Sequence, residues 1–547
     1  MATERSTDGE SWYGTDEGVN QLRGRLFEWG CLGAMLFGIA MVFALLAYVA
    51  LDAIRPLTAD PGWHLVFFLT LVAPTTALVG YYARRDRQAG WVGATATALP
   101  AFCLLVGSGV ALLLVEVVQP IEWFGTTLAL LVAAGIVYAH RRFRARPAEF
   151  ERTLVAVATL AFAVVGVPGA IPSLSRLLQN APLALNHATM MLYSFAAPVA
   201  ILAGVVVARR RESRRDGGVA AVLTFVGGVL AVVTAPTVGI SDHLLVVVGL
   251  SVAVPTALYV EAVVRRRDNL AGLALPVVAY AGMFVGAAAV AALGFAGPEA
   301  WLDWQFLTRA HSRFAEEAGI YPALVGSIMM MLVVVVSAFP VGVAAALYLE
   351  EYAPDGGTAG RVVGLIETNI ANLAGVPSVV YGLLGLALFI RYADMNTGSV
   401  VVGGLTVGLL ILPIVIISSQ EAVRAVPDSM RRASYGMGAT KWQTVRNVVL
   451  PEALPGILTG SILAFGRAIG ETAPLLMIGA AAVVFSPPSS FTEKFSAMPR
   501  QIFAWSHEPA GEFRYGVLAA GVITLLVVLL SMNAAAILVR NKYQRRS

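Results

Sequence analysis

Residues 426–457 read VPDSMRRASYGMGATKWQTVRNVVLPEALPGI, a polar interruption between two long apolar runs. Asp428 and Ser429 suit a helix N-cap, which predicts a short helix running to about Tyr435. Gly436 and Gly438 permit a tight turn, and Thr440 suits the cap of a second helix ending before Pro451. Two short helices at a right angle make a protrusion with one polar and one apolar face. Such a shape fits docking into a groove on a soluble partner. It equally fits an amphipathic hairpin lying in a membrane interface.

The chain on either side of this stretch is that of a membrane protein. Of its 547 residues 58% are hydrophobic and 13% charged, and the mean hydropathy is +0.75. A soluble domain carries about 25% charged residues. Fourteen apolar runs approach the roughly 20 residues that a bilayer requires. They lie near 30–51, 63–83, 91–116, 121–140, 153–172, 188–208, 218–237, 241–263, 272–296, 321–348, 363–389, 399–420, 455–484 and 515–539. The expected fold class is therefore all-α, a polytopic membrane protein of about fourteen helices.

Lys and Arg test that count, because they concentrate in cytoplasmic loops. With an inside N-terminus, 29 fall on the inner side and 8 on the outer, and Arg467, within a span, completes the 38. The bias predicts a cell-membrane protein with both termini cytoplasmic. The net charge of +4 arises from short clusters flanking apolar helices, so no nucleic-acid partner is expected. Residues 1–29 form a polar, slightly acidic tail, and no signal peptide is visible.

The two halves differ. Residues 30–268 contain about eight spans joined by arginine-rich turns such as RRDR, RRFRAR and RRRESRR, with no motif that carries chemistry. Residues 269–547 contain about six spans with longer loops, and the boundary is placed near 268. Cys31 and Cys103 are isolated in apolar runs and read as small core residues. The six histidines, at 64, 140, 187, 243, 311 and 507, show no metal-ligand spacing, so no metal or cofactor is expected. Glu350 and Glu351 follow a span end and are expected to face water or headgroups. No GK[ST] occurs, since the three lysines follow Thr, Glu and Asn. The chain therefore has no Walker-type nucleotide site, and no catalytic constellation is present.

The 426–457 stretch resembles the cytoplasmic signature of ATP-binding-cassette importer permeases: Glu-Ala-Ala, three residues, Gly, nine residues, Ile, one residue, Leu-Pro. Here Arg432, Ala433 and Ser434 are followed at that spacing by Gly438 and then by Val448, Val449, Leu450 and Pro451. Arg432 replaces the leading Glu. The resemblance implies a coupling loop, 427–451, that inserts into an ATPase subunit, with Arg432 altering one polar contact there. AGIYPALVGS (318–327), LYLEEYAP (347–354), NIANLAGVPSVVYGLLGLALF (369–389) and RAIGETAPLL (467–476) resemble the phosphate branch, PstA-like permeases, over about 270–547. Implied partners are ATP-binding cassette ATPase subunits that bind the ATP, a second permease subunit (PstC-like) unless the chain pairs with itself, and an extracellular phosphate-binding protein.

Arg467 and Glu471 lie four apart, hence on one face of a helix, inside lipid where charge is expensive. A guanidinium offers multidentate donors to a phosphate dianion, and a carboxylate one turn away neutralises it when the path is empty. Gly470 and Pro474 loosen the helix and are expected to free backbone N–H groups for the anion. The resemblance points to the same pair as transport-critical. The alternative is a buried ion pair that fixes helix packing. Asn369 and Asn372 either line the path or bridge helices by hydrogen bonds. Rival readings are a permease for sulfate, molybdate or tungstate, an ion-driven secondary transporter, and a membrane phosphate sensor.

Overall fold

The computed structural model describes residues 21–112, 120–143, 186–238, 241–267, 269–354 and 356–544. Among them every regular element is a helix, and the only bridge is an isolated one between Ser399 and Lys494. Among the described residues ten helices are long and apolar enough to cross a membrane, or eleven if one bent pair counts as a span. The described chain begins with α1 (Gln21–Ile54), α2 (Pro61–Arg85), α3 (Arg87–Leu112) and α4 (Pro120–Phe143). It continues with α5 (His187–Arg211), α6 (Arg214–Val238), α7 (Asp242–Arg266) and α8 (Ala274–Leu293). The expected span at 153–172 lies outside the described residues.

The rest of the chain runs through α9 (Tyr321–Tyr352), α10 (Gly357–Ala374), α11 (Ser378–Tyr392) and α12 (Val400–Arg424). Then come α13 (Asp428–Gly436), α14 (Lys441–Ile469), α15 (Ala473–Met477), α16 (Met498–Trp505) and α17 (Phe513–Leu538). The single span expected at 363–389 is instead the pair α10 and α11, bent by 107°. Gly375 and Pro377 cause the break. Proline has no N–H and disfavours helical backbone at the residue before it, and α11 begins just past Pro377.

α12 is the central helix, packed against α9, α10, α11, α14 and α15. Small residues let α9 and α12 approach closely. A Cβ built on Gly404 would lie 2.5 Å from Val333 Cβ, and one on Gly342 2.7 Å from a Val415 methyl. The main core gathers around this contact, with Met329, Met330, Ile411, Leu475, Phe495 and Trp505 fully buried. A second core, Val423, Val426, Val449, Ala453 and Ile457, seats the 426–450 loop on the ends of α12 and α14. α8 packs not on this bundle but on α2 and α3, and α1 lies along α17. Cys103 is buried as expected, whereas Cys31, on the outward flank of α1, is exposed.

Candidate functional site

The first constellation is a charged pair at a helix break. Arg467 sits in the last turn of α14, which stops at Ile469, and Pro474 lies at the start of α15. Arg467 Nε donates to Glu471 Oε1 at 3.0 Å, with the side chains 47% and 15% exposed. The continuous span expected at 455–484 is therefore interrupted, and Glu471 stands beyond the helix end. Pro474 provides the reason: in a continued helix its ring would clash with the Gly470 carbonyl. The N–H groups of Gly470 and Glu471 are not freed as expected, since they donate to the carbonyls of Arg467 (3.1 Å) and Ala468 (3.3 Å). A cation in the final turn suits the negative end of the helix dipole. Among the described residues no other hydrogen bond reaches the guanidinium, and the side chain is half exposed.

α11 packs on α15 beside this break. Gly382 makes the approach possible, since a Cβ there would meet Pro474 Cα at 2.9 Å and Met477 Cβ at 2.7 Å. Tyr381 OH donates to the Leu373 carbonyl at 2.8 Å, bracing the bend between α10 and α11. Asn369 and Asn372 are exposed on α10. Asn369 donates to the Leu365 carbonyl of its own helix at 2.7 Å. No hydrogen bond among the described residues joins either asparagine to Arg467 or Glu471.

The second constellation is the 426–450 loop. α13 ends at Gly436 as its sequence suggests, but Pro427 occupies the N-cap without a side-chain bond. The Asp428 carboxylate accepts instead from Arg431 at 3.2 Å. Gly438 takes φ +81°, a conformation glycine adopts freely. Thr440 caps the following helix in a reciprocal box with Gln443. That helix does not end before Pro451. It passes through a π turn, Val445–Val449, and runs on to Ile469. Pro451 is tolerated because the π turn already displaces the bonds that it would break. Ser434 is buried and shares a 2.8 Å hydrogen bond with Thr444, while Leu450 packs on the second core. Arg432, Ala433 and Pro451 are exposed. The apolar Met437 and Trp442 project outward, 83% and 61% exposed.

Sequence reasoning misplaced the two glutamates that end α9. Glu351 is buried, not solvated, and pairs with Arg431 at 3.0 Å. Glu350 pairs with Arg424 at 2.5 Å. Gln420 donates to both Glu350 and Glu367, each at 3.2 Å. These partners lie 53 to 80 positions apart in the chain, so no local pattern could have found them. The only available signal was two adjacent acids directly after an apolar run.

A family model described as the binding-protein-dependent transport system inner membrane component matches residues 358–542. The chain is 36% identical over 233 residues to the phosphate transport system permease protein PstA 1 of Mycobacterium tuberculosis, covering 42% of this chain and 72% of that one. It is 33% identical to PstA of Xylella fastidiosa, covering 44% and 82%. A probable ABC transporter permease of Bacillus subtilis, YqgI, is 35% identical, and this chain spans 63% of its length. Among solved structures, an inward-facing MetNI methionine ABC transporter aligns with 41% of this chain and 97% of that chain. The TM-score of that alignment is 0.32 and the identity 17%.

Proposed function

Because this chain belongs to the family of binding-protein-dependent transport inner-membrane components, in its PstA-like branch, we propose that it is the membrane permease of an ATP-driven importer of inorganic phosphate. In this reading both termini and the 426–450 loop face the cytoplasm. ATP is bound by separate ATPase subunits that receive the exposed tip of the loop, Met437 and Trp442. A PstC-like second permease completes the path, and an extracellular binding protein delivers phosphate. Residues 269–547 form the permease unit, and 30–268 an additional membrane unit. The chain makes and breaks no covalent bond. It rocks between states open to either side as the ATPases close and part.

The observation that carries the reading is the half-exposed Arg467, whose terminal nitrogens have no hydrogen-bond partner among the described residues while Nε rests on Glu471 at 3.0 Å. A guanidinium tethered on one edge presents its other donors to an oxyanion. The carboxylate offsets the charge when no anion is present. Conduction requires binding of this graded kind, firm enough to admit the ion and weak enough to release it.

The test is uptake by liposomes that contain the full assembly with its binding protein. Arg467→Gln should abolish phosphate uptake while the ATPase and second permease still co-purify. Loss of the assembly instead would make the pair a packing device. Unchanged uptake would refute the reading. Sulfate, molybdate or tungstate driving the wild-type assembly in place of phosphate would move the substrate to another oxyanion.

A further inference from the structure

The root of the 426–450 loop holds a charge cluster that the family signature does not include. Arg431, 16% exposed, uses its whole guanidinium there. Nε donates to Glu351 Oε1 at 3.1 Å and one terminal nitrogen to the Val423 carbonyl at 2.9 Å. The other terminal nitrogen donates to the Val426 carbonyl and to Asp428. Val423 lies in the last turn of α12 and Val426 just past it, so Arg431 adds a side-chain donor to the carbonyls at that helix end. Glu351, with a side chain only 6% exposed, is the end of α9. One side chain of α13 thus ties the ends of two membrane helices.

The linkage continues beyond α13. Glu350, next to Glu351 in the turn that ends α9, takes bonds from Arg424 and Gln420 of α12. Gln420 also reaches Glu367 on α10. α10 leads through its braced bend to α11, which packs on Pro474 and Met477 beside Arg467 and Glu471. Each step is a contact between one helix and the next, a contiguous network of the kind that carries coupling between sites.

Resting on the importer reading, we propose that Arg431 is a positioning residue. It fastens the docking helix to α9 and α12, so that displacement of the loop by the ATPases turns the membrane helices as one body and reaches the charged pair through Gln420 and Glu367. Five fixed donors suit this task, and a lysine ammonium cannot reproduce their fork. The side chain of Arg431 bonds Glu351, Val423, Val426 and Asp428, and none of the residues at the exposed tip or of the Arg467–Glu471 pair.

The experiment uses the whole assembly in liposomes with its binding protein, measuring ATP hydrolysed and phosphate accumulated together. Arg431→Lys, Arg431→Gln and Glu351→Gln should each leave the ATPase bound and hydrolysis within about twofold of wild type, because the docking tip is untouched. Phosphate moved per ATP should fall at least about tenfold in Arg431→Gln and Glu351→Gln, and less in Arg431→Lys. An unchanged ratio in Glu351→Gln, the mildest change, would overturn the proposal. So would dissociation of the ATPase in all three variants, which would make the cluster a support for docking alone. Absence of coupled uptake by the wild-type assembly would instead overturn the importer reading, and this inference with it.

Discussion

Replacing Gly438 by residues of increasing size separates strain inside this chain from contact with a partner. Gly438 has φ +81°, and a Cβ built on it finds nothing within 4 Å. Within the chain, Gly438→Ala therefore adds no clash. It adds only the left-handed backbone penalty, about 1–2 kcal/mol for a residue with a side chain. That energy reduces the population of the native loop by at most about 5- to 30-fold against competing loop conformers. Gly438→Phe carries nearly the same backbone penalty, since the φ is the same and nothing stands within 4 Å of the Cβ from which the ring extends. Any further loss must come from something that occupies that space in the assembly. The assay is ATPase retention and phosphate uptake per ATP in reconstituted complexes for Gly438→Ala, Gly438→Leu and Gly438→Phe. Thermal unfolding of the isolated chain provides the control. We expect equal melting across the series and a graded loss of coupling, Phe worst. Equal coupling in Ala and Phe would place the tip in solvent and refute docking at this turn.

Three other outcomes follow from the geometry. Gly404→Leu forces α9 and α12 apart, because even a Cβ there stands 3.0 Å from the Met330 carbonyl oxygen. Overpacking of this kind costs about 1–3 kcal/mol or more and should lower the melting temperature of detergent-solubilised protein. Tyr381→Phe removes the 2.8 Å bond to the Leu373 carbonyl. That loss, about 1 kcal/mol, should speed proteolysis or cysteine labelling at the α10–α11 bend without loss of expression. His311 Nδ1 accepts from Trp505 Nε1 at 3.1 Å, and burial holds its pKa below the usual histidine range. The folded chain thus binds this proton more weakly than the unfolded chain, whose histidine titrates near 6.5. The stability contributed by the neutral ring is present above that value and is lost as pH falls from it toward the folded pKa. Melting temperature should drop between about pH 7 and pH 5, and less so in His311→Gln.

The all-helical membrane class and most span positions were legible in the linear chain. Span length and hydropathy are properties of about 20 consecutive residues, and the bilayer reads them locally. The Gly438 turn and the Thr440 cap were legible for the same reason, since both are decided within three or four residues. The bend after Ala374 and the stop at Ile469 were legible only in part. Pro377 and Pro474 marked where a helix can break, but each has neighbouring prolines that do not break theirs: α12 runs through Pro413 and α14 through Pro455.

What only the tertiary structure decided is the partnership of charges. Glu351 meets Arg431, and Gln420 meets both Glu350 and Glu367, because the ends of α9 and α12 come together with the middle of α10 and the first turns of α13. By itself the sequence determined which segments enter the bilayer and where the chain turns, since hydropathy and φ preference act over a few residues. Which acid lies buried against which guanidinium depends on how helices far apart in the chain come to pack, and that is settled by the close approach of small residues along α9 and α12.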